Sequence, residues 1–585
     1  MRYWQQHPQI INGIFAAQEI TILDDKISKQ KKVDCVAFCS FESRFAQSGG
    51  LAAVTTKILP YLKEVRSVAN VILLTPFYPH LGPSRKLQSA GRIEVFFDNE
   101  IHEVEILRHV QRYQQPAPGF VEEFYFKAPG FFDSKNSLND PYIYDETDPK
   151  KNNEALQRNA LFFCQCVPLA MQKLGFVNNL LFHVQDWQTI LVALTAKQAI
   201  AKGTLQSGRT VCTLHNPYDS GWLKLESLAK ILDTSTAQRL YRSLQDDLTA
   251  LRLGLSLVDA PITTVSGNFA KELTSDILQT QHFAPHLQAI FKKNGVIGVN
   301  NGIFVDFPPE LLTFAKSKKP SAISKSAIDK IKQVKLKKRA ALLQILEEYN
   351  PRERFGKLTY NGRSLTEKNR VLLPEEIPLL LMSGRLDPIQ KGFDILLRAV
   401  GRFKEDEVKV VLTPLPVRES DLDYFRRTAE TCPGNLTVFP LRMERGFHEL
   451  QIGSTFGVMP SIYEPFGAAI EYMVNGTVVV ARKTGGLVDQ VDNGVNGFLF
   501  REAKRHYDPV NIAQFVDSSD AVELRRDNPW CNDMVNGLHK VLKRAIRVYQ
   551  KENDKYYEMA LNGLLKAREF DWHSTATAYA SIYEG

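Results

Sequence analysis

Residues 456–474 read FGVMPSIYEPFGAAIEYMV, which is an apolar run, a turn and a helical stretch in succession. The pattern predicts a buried strand over Phe456–Met459 and a helix that begins near Gly467. In open α/β sheets, ligands bind beyond the carboxyl ends of such strands. Glu464 is therefore expected at the start of this helix and Glu471 about one turn inside it. Both carboxylates could accept hydrogen bonds from the hydroxyl groups of a sugar nucleotide.

The same order of strand, turn and helix occurs at GRLDPIQKG, residues 384–392. Arg385 ends the predicted strand and Lys391 follows six residues later, so two long cations lie at one strand end. An arginine grips phosphate oxygens with a fork of donors and a lysine adds a movable charge, so a diphosphate would suit the pair. Two solvated surface cations are an equally good interpretation of these residues taken alone.

Two glycine turns follow predicted strands in the same way, QSGGL at residues 47–51 and TGGL at residues 484–487. Glycines at a helix start let backbone amides approach a phosphate closely. We therefore expect phosphate contacts from these turns and from the amides of Gly467 to Ala469. A tight turn without a ligand explains two adjacent glycines about as often.

Short apolar or β-branched runs alternate with amphipathic stretches in both halves of the chain. This pattern predicts an α/β protein with two doubly wound parallel sheets that are covered by helices. The predicted strands of the first half are Val33–Cys39, Asn70–Leu74, Leu180–His183, Thr210–Leu214 and Pro261–Val265. Those of the second half are Ile377–Ser383, Val408–Thr413, Leu436–Phe439, Phe456–Met459 and Val478–Ala481.

The 585 residues suffice for two large domains, and 44% hydrophobic with 24% charged residues is the usage of ordinary globular proteins. Seven cysteines without metal-site spacing indicate reduced, mostly buried thiols, so we predict no metal site. The net charge of +8 is concentrated between Lys316 and Arg339, where ten residues are basic and one is acidic. Helical spacing there places most lysines toward water, so we predict no nucleic-acid partner. The positions expected to face a core are Ile331, Val334, Leu342 and Ile345.

Nine segments, in order along the chain, resemble motifs of the GT-B glycogen and starch synthases. The resemblance implies two Rossmann-like domains that face a central cleft. It also implies transfer of glucose, with retention at the anomeric carbon, from a nucleotide-diphosphate donor to an α-glucan acceptor. The donor is a substrate, so neither a cofactor nor a metal is implied. The segments are QSGGLAAV (47–54), TPFYP (75–79), HVQDWQT (183–189), TLHN (213–216), DAPITTVS (259–266), NNGI (300–303), GRLDPIQKG (384–392), MPSIYEPFG (459–467) and TGGL (484–487).

The resemblance implies roles for individual residues. Arg385 and Lys391 would hold the donor phosphates, Glu464 would lie against the transferred glucose, and Gln185 occupies the motif position that contacts the reacting sugar. The donor-binding residues would be Gln47, Gly49, Gly50, Gly467, Ala468, Ala469, Glu471, Thr484, Gly485 and Gly486. The residues of the acceptor side and the cleft would be His183, Asp186, His215 and Asn216, with a structural role for His183 as the alternative.

Two motif positions depart from the family pattern. Gln47 replaces the lysine of the glycine-rich motif, and Gln185 replaces a histidine. Glutamine keeps the capacity for hydrogen bonds but carries no charge. Three functions therefore stay open. They are an α-1,4-glucan synthase that uses ADP-glucose or UDP-glucose, another retaining GT-B transferase with a small acceptor, and a non-catalytic glucan-binding relative.

We expect residues 1–305 to form an acceptor-side domain and residues 377–560 to form a nucleotide-sugar-binding domain. Between them, residues 306–376 are predicted to be a linker with a basic helical segment, with a hinge near Asn300–Pro309. Residues 561–585 are predicted to form a terminal helix that packs back on the first domain. No apolar stretch is long enough to span a membrane and the first residues lack an apolar signal core, so we expect a cytoplasmic protein without a membrane partner. The oligomeric state stays open.

Overall fold

The computed structural model describes residues 3–28, 32–79, 87–136, 140–217, 221–244, 248–316, 323–349, 353–366, 371–416, 419–432, 434–519 and 521–584. The chain divides into two compact units, each with its own sheet. The first unit consists of Met1–Phe304 together with Asp571–Gly585, and the second consists of Val305–Phe570.

Among the described residues of the first unit, nine strands form one sheet in the order β3-β4-β5-β2-β1-β6-β7-β8-β9. All five predicted strands of this half are present, and they pair with one another in parallel. The strands are β1 (Val33–Cys39), β2 (Val68–Pro76), β3 (Gln88–Phe97), β4 (Glu100–Tyr113), β5 (Gly119–Lys127), β6 (Leu180–Gln185), β7 (Gly208–Leu214), β8 (Ile262–Thr264) and β9 (Val296–Gly298).

The predicted parallel pairing does not extend to the β3–β4 and β4–β5 pairs. β3 and β4 form an antiparallel hairpin whose turn residues, Asp98 and Asn99, have φ of 58° and 64°, the left-handed pair that a tight hairpin favours. β5 pairs antiparallel with β4 and parallel with β2. Exposed and buried residues alternate along β3, and Phe96 is 65% exposed, so these strands lack the continuous apolar run that marks a strand buried on both faces.

The first unit also contains α-helices before and between these strands. Those that precede β9 in the chain are α1 (Pro8–Ile14), α2 (Ala17–Ser28), α3 (Gly50–Lys63), α4 (Pro149–Lys173), α5 (Asp186–Thr189), α6 (Val192–Ala201), α7 (Leu225–Ala229), α8 (Thr234–Leu244), α9 (Ala250–Leu255), α10 (Gly267–Ser275) and α11 (Gln288–Asn294).

In the second unit, eight strands of the described residues form a sheet in the order β11-β10-β14-β13-β12-β15-β16-β17. All five predicted strands of this half are present and pair in parallel, whereas β10 runs antiparallel to β14. The strands are β10 (Phe355–Tyr360), β11 (Arg363–Ser364), β12 (Leu379–Arg385), β13 (Lys409–Leu415), β14 (Asn435–Val438), β15 (Phe456–Met459), β16 (Val478–Arg482) and β17 (Gly497–Phe500).

The helices of the second unit begin before its first strand and continue after its last. They are α12 (Leu312–Lys316), α13 (Lys325–Glu348), α14 (Phe393–Val400), α15 (Asp423–Thr431), α16 (Phe447–Gly453), α17 (Ala469–Val474), α18 (Leu487–Gln490), α19 (Pro509–Asp517), α20 (Pro529–Lys551) and α21 (Asn553–Ala567). None of the described helices of either unit is long and apolar enough to cross a membrane.

The prediction of a linker over residues 306–376 is wrong. α13 packs against α16, and β10 joins the second sheet beside β14, so this segment is part of the second unit. Residues 317–322 of the lysine-rich run lie outside the described residues.

The basic helix α13 differs from the predicted pattern of solvated lysines. Three of its four predicted core positions are buried and Val334 is half-buried, but Lys335 and Arg339 are buried as well. The ammonium of Lys335 donates to the carbonyl oxygens of Ile452 and Ser454 at 2.6 and 2.9 Å. Burial lowers the pKa of Lys335, and the charge of Arg339 lowers it further. A long lysine stem on the buried face of α13 thus serves to satisfy backbone carbonyls.

The chain end returns to the first unit. Helix α22 (Trp572–Glu584) packs there against α3, whereas α21 belongs to the second unit, so the predicted terminal segment 561–585 is divided at Phe570. The indole nitrogen of Trp572 donates to the carbonyl oxygen of Ile303 at 2.8 Å. A Cβ atom on Gly302 would lie 2.6 Å from the same indole ring. Residues 302 and 303, part of the predicted hinge, are therefore fixed within the first unit.

Candidate active site

The switch point of the second sheet lies between β12 and β15, from which the strand order runs outward on both sides. The carboxyl ends of the strands at such a point form the ligand crevice of doubly wound folds. Arg385 is the last residue of β12 and its side chain is exposed, and the acidic loop that contains Glu464 follows the end of β15. Two predicted site segments therefore lie at the strand ends where doubly wound folds bind their ligands.

Lys391 and Glu464 form an ion pair at this edge. The ammonium nitrogen lies 2.8 Å from Oε2 of Glu464, and the hydroxyl of Ser461 donates to the same oxygen at 3.0 Å. The lysine side chain is 20% exposed and the glutamate side chain 6%, so the pair is shielded from water on one side. A charge-assisted bond of this kind fixes both predicted catalytic residues in one place.

The loops that carry these two residues are joined through their backbones. The amide of Ile462 donates to the carbonyl oxygen of Gln390 at 2.7 Å. Gly392 has φ of 70°, and a Cβ atom there would lie 2.4 Å from the carbonyl oxygen of Pro460. Only glycine combines this conformation with so close an approach, which explains why the lysine loop ends in a glycine.

The TGGL turn supports the acidic loop from the other side. The amide of Gly486 donates to the carbonyl oxygen of Glu464 at 2.9 Å, and a Cβ atom on Gly485 would lie 1.8 Å from that oxygen. A Cβ atom on Gly486 would lie 2.2 Å from the carbonyl oxygen of Phe466. Close packing of two backbones thus accounts for both glycines, and phosphate contacts of Thr484, Gly485 and Gly486 stay a prediction.

A buried ion pair also holds the acidic loop. The Nε atom of Arg482 donates to Oε2 of Glu502 at 2.9 Å, and a second nitrogen of Arg482 donates to the carbonyl oxygen of Ile462. Burial raises the pKa of Glu502, but the charge and hydrogen bonds of Arg482 outweigh that effect and hold the pKa below its usual value. Arg482 ends β16, and a charged residue after the apolar run VVVA is a signal that the sequence analysis missed.

Helix α17 begins at Ala469 rather than near Gly467, because Gly467 has φ of 90° and cannot belong to a right-handed helix. Glu471 therefore lies in the first turn of the helix. Burial raises the pKa of Glu471 to about 7, with Lys391 lowering it and Glu464 raising it. The three groups are thus coupled electrostatically, as expected if they share one site. The amides of Gly467, Ala468 and Ala469 stay predicted phosphate donors.

In the first unit, the ends of β6 and β7 bring four predicted residues together. Oε1 of Gln185 lies 2.8 Å from Nε2 of His215, and because an amide oxygen only accepts, this nitrogen carries the proton. Oδ1 of Asp186 accepts the backbone amides of His215 and Asn216 at 2.6 and 3.2 Å. Gln185 is 1% exposed and the other three residues are half-buried. The carboxylate of Asp186 thus fixes the backbone of His215, whose ring binds Gln185.

Burial shifts both titratable groups of this cluster. It raises the pKa of Asp186 to about 7, although the amides of His215 and Asn216 oppose the shift. Burial lowers the pKa of His215 to about 4. His215 is therefore neutral at pH 7 and acts as a hydrogen-bond donor through its Nε2 atom.

His183 does not line a surface, so its assignment to the acceptor side is wrong and the alternative, a structural role, is confirmed. It is 0% exposed, and its two ring nitrogens each lie 2.7 Å from a buried hydroxyl oxygen, one of Tyr583 and one of Thr213. Burial lowers the pKa of His183 to about 3. The reason is that β6 is a central strand whose residues are all buried, so its histidine belongs to the core.

The glycine turn before α3 also differs from its prediction. Oε2 of the buried Glu42 accepts the amides of Ser48, Gly49 and Ala52 at 3.1, 2.9 and 3.2 Å. An internal carboxylate therefore takes the place that we predicted for a phosphate at Gly49. Burial raises the pKa of Glu42, while these amides lower it. Glu42 is the third residue after the end of β1, in the segment that leads to α3.

The remaining residues of this turn face outward. Gln47 and Gly50 are exposed, and the side-chain amide of Gln47 donates to the carbonyl oxygen of Arg44 at 3.0 Å. The hydroxyl of Tyr142 donates to Oε1 of Glu42 at 3.0 Å and completes the coordination of that carboxylate. Glu42 and Tyr142 were not among the predicted site residues, although an acidic residue just beyond a buried strand is a detectable signal.

Two family models match the chain in order. The model described as starch synthase catalytic domain matches residues 35–292, and the model described as glycosyl transferases group 1 matches residues 364–519. The chain therefore combines a starch synthase catalytic domain with a domain of the group 1 glycosyl transferases. It is a glycosyltransferase, and it is similar along its length to glycogen synthases.

Relatives of this synthase family extend over nearly all of the chain. A glycogen synthase from Oceanobacillus iheyensis is 24% identical over 557 residues, which cover 92% of this chain and 95% of the relative. A glycogen synthase from Alkaliphilus metalliredigens is 24% identical over 571 residues, which cover 94% of this chain and 99% of the relative. Among solved structures, the catalytic domain of starch synthase IV from Arabidopsis thaliana, bound to ADP and acarbose, is 20% identical with a TM-score of 0.67 and covers 94% of this chain and 99% of its own. This likeness shows that the chain has the GT-B fold.

The described part of this glycogen and starch synthase relative contains no group of three His, Cys, Asp or Glu side chains that could hold a metal ion. Cys35 and Cys39, which stand four residues apart in β1, are both buried, and burial raises the pKa of both thiols. These thiols are core residues of the first sheet, as the cysteine pattern predicts.

Proposed function

We propose that this protein is a retaining glucosyltransferase that elongates an α-1,4-glucan with glucose from ADP-glucose or UDP-glucose. The observation that carries the proposal is the ion pair of Lys391 and Glu464, 2.8 Å apart, at the switch point of the second sheet beside Arg385. A cation that can bind a phosphate and a carboxylate that can bind a sugar hydroxyl stand next to each other there. The related starch synthase of the same fold was solved with ADP, which supports a nucleotide at such a site.

Each group of the second unit has a defined task in this proposal. Arg385 and Lys391 bind the donor diphosphate and offset the charge that develops as the nucleotide leaves. Glu464 accepts hydrogen bonds from the glucose, since among the described residues only its Oε2 atom is bonded. Glu471 accepts a ribose hydroxyl, and its raised pKa keeps part of its population neutral at pH 7.

The proposed step is a front-side displacement. The bond between the anomeric carbon and the diphosphate oxygen breaks, and a bond from that carbon to the terminal 4-hydroxyl oxygen of the glucan forms on the same face. The proton of that hydroxyl passes to the departing phosphate oxygen. The products are a nucleoside diphosphate and a glucan longer by one unit, and no nucleophile of the protein is needed.

Groups of the first unit supply neutral hydrogen bonds rather than charge. Asp186 accepts the backbone amide of His215, and the buried Gln185 binds Nε2 of its ring, so His215 can present a fixed neutral imidazole to a sugar hydroxyl. Because His215 has a pKa of about 4, it does not act as a cation at pH 7. The charge that stabilises the leaving group is therefore assigned to the second unit alone.

The test is a transfer assay with purified protein, glycogen and labelled ADP-glucose or UDP-glucose. We expect labelled glucose to enter the polymer from one of the two donors. An enzyme that cleaves only α-1,4 bonds from chain ends should then release that label from the polymer. A short maltooligosaccharide and free glucose serve as alternative acceptors and separate a glucan synthase from a transferase with a small acceptor. Absence of transfer from both donors to every acceptor would contradict the proposal.

One observation favours a second candidate, a non-catalytic glucan-binding relative. Glu42 occupies the amides of Ser48, Gly49 and Ala52 in the glycine turn, and Gln47 offers no cation there. This candidate predicts that glycogen binds without any transfer. Introducing Gln47→Lys and Gln185→His together should then create activity, whereas under the main proposal the unmodified protein already transfers glucose.

A further inference from the structure

The core histidine His183 connects three elements of the first unit. Its Nδ1 atom lies 2.7 Å from the hydroxyl oxygen of Tyr583 on α22, and its Nε2 atom lies 2.7 Å from the hydroxyl oxygen of Thr213 on β7. His183 itself lies on β6 and is 0% exposed. The imidazole of His183 on β6 therefore links the terminal helix to β7.

The direction of each hydrogen bond in this network follows from the number of protons. The hydroxyl of Thr263 donates to the carbonyl oxygen of Cys212 at 2.8 Å. Its contact with Thr213 at 2.7 Å must then use the proton of Thr213. The Thr213 oxygen is left to accept from Nε2 of His183, so Nδ1 of His183 accepts from Tyr583. His183 is thus a neutral imidazole protonated at Nε2.

The network lies just below the pair Gln185–His215. Gln185 follows His183 by two residues on β6, and His215 follows Thr213 by two residues, just beyond the end of β7. The side-chain amide of Gln185 donates to the carbonyl oxygen of His183 at 3.4 Å, and its oxygen accepts from His215. The backbone carbonyl of His183 is thus bonded to one member of the pair, and Thr213, which contacts the His183 ring, lies two residues before the other.

Helix α22 is itself fixed firmly enough to act as an anchor. Besides the bond of Trp572 to Ile303, the hydroxyl of Tyr579 lies 3.1 Å from that of Thr213. The guanidinium of Arg209 on β7 donates to the carbonyl oxygen of Tyr583. Tyr579 and Tyr583 are both buried, at 3% and 0% exposure. These contacts hold α22, and with it the backbone that carries Tyr583, against β7.

We infer that Tyr583 is a positioning residue for the site of the first unit. Its hydroxyl selects the Nε2-protonated form of His183 and holds that ring against Thr213, which sets the spacing of β6 and β7 where they present Gln185 and His215. The effect of Tyr583 on turnover rests on the proposed function, whereas its effect on the two histidines does not.

The test that is independent of activity uses protein with ¹⁵N-labelled histidine and compares the wild type with Tyr583→Phe by NMR. In the wild type, we expect His183 and His215 to be protonated at Nε2, and His183 to stay neutral down to about pH 4. The variant removes one hydroxyl and keeps the ring. It should shift the Nδ1 resonance of His183 and, with it, the resonances of His215.

A second pair of variants tests the other side of the imidazole. Thr213→Val removes the hydroxyl that accepts from His183 without changing the size of the side chain, and Thr213→Ser restores it. Val should shift the resonances of both histidines and Ser should return them to the wild-type positions. Tyr556→Phe is the control, because Tyr556 donates to the carbonyl oxygen of Thr455 in the second unit and should leave both histidines unchanged.

Kinetics form the second arm. Tyr583→Phe should lower kcat about tenfold with KM for the donor changed by less than about twofold, because the donor groups lie in the second unit. If the wild type transfers no glucose, the proposed function fails and the NMR arm still decides this inference. Resonances of His215 that coincide in the wild type, Tyr583→Phe and Thr213→Val would overturn it.

Discussion

The ammonium of Lys391 lies 2.8 Å from the carboxylate of Glu464, although 73 residues separate them along the chain. Each follows the end of a different strand, β12 and β15, which are neighbours in the second sheet. The pairing stabilises two loops that are also bonded through their backbones. A phosphate that binds Lys391 therefore has to displace the carboxylate of Glu464 or share the ammonium group with it.

Replacing Lys391 by Ala should reduce kcat/KM about 100- to 1,000-fold, because one charge that stabilises the leaving diphosphate is lost. Initial rates at several donor concentrations measure the effect. Lys555→Ala is the matched control, since Lys555 forms an ion pair 2.9 Å long with Glu552 on the exposed surface of the same unit. Equal rates for the Lys391 variant and this control would remove Lys391 from the proposed site.

Replacing Gly485 by Ala should lower the free energy of unfolding by about 3 kcal/mol or more, because the new Cβ would lie 1.8 Å from the carbonyl oxygen of Glu464. Gly494→Ala is the control, since Gly494 also has a left-handed φ, of 84°, but no atom within 4 Å of the new Cβ. It should cost only about 1 kcal/mol. Urea unfolding measures both values, and similar losses would show that packing at Gly485 is not the cause.

Glu471→Gln should make stability less dependent on pH. The raised pKa of Glu471, about 7, means that the folded state keeps the proton longer than the unfolded state does. The stability that this provides is present below about pH 4.5 and is lost as the pH rises through 7. Glutamine cannot ionise, so the variant should gain about 3 kcal/mol relative to the wild type between pH 4.5 and 8. Unfolding curves at four pH values test this, and parallel profiles would contradict it.

Replacing Glu42 by Ala should lower the free energy of unfolding by about 3 kcal/mol, because three backbone amides and the hydroxyl of Tyr142 lose a buried acceptor. Glu19→Ala is the control, since Glu19 accepts one exposed amide, that of Ala16, at 2.8 Å. It should cost less than about 1 kcal/mol. A loss at Glu42 no larger than that at Glu19 would show that the turn does not depend on this carboxylate.

The ten central parallel strands of the two sheets, and the positions of three site candidates at their ends, could be predicted because their signals are local. A buried parallel strand is an apolar run, and the residue after it lies at the carboxyl edge of the sheet whatever the rest of the chain does. That is why Arg385, Lys391 and Glu464 were placed correctly at strand ends from the sequence. The hairpin β3–β4 was missed since half of its residues face water.

Buried polar groups could not be predicted because their partners are distant in the chain. Tyr583, which bonds to His183, lies 400 residues away, and Lys335 reaches carbonyl groups 117 and 119 residues away. From sequence alone a histidine beside a motif indicates a site, and a lysine in a basic run indicates a solvated face. The packing of α22 buries His183, and the packing of α13 buries Lys335, so both residues belong to the core.

Helix α22 has a consequence for synthesis of the chain on the ribosome. Trp572, Tyr579 and Tyr583 share one hydrophobic cluster with Val36 and Phe38 of β1, so the first unit has a gap in its core until the helix arrives. All of Val305–Phe570 has to be translated in between. The second unit is continuous in the chain and can fold as it emerges, whereas the nascent first unit has to wait for residues made after its neighbour.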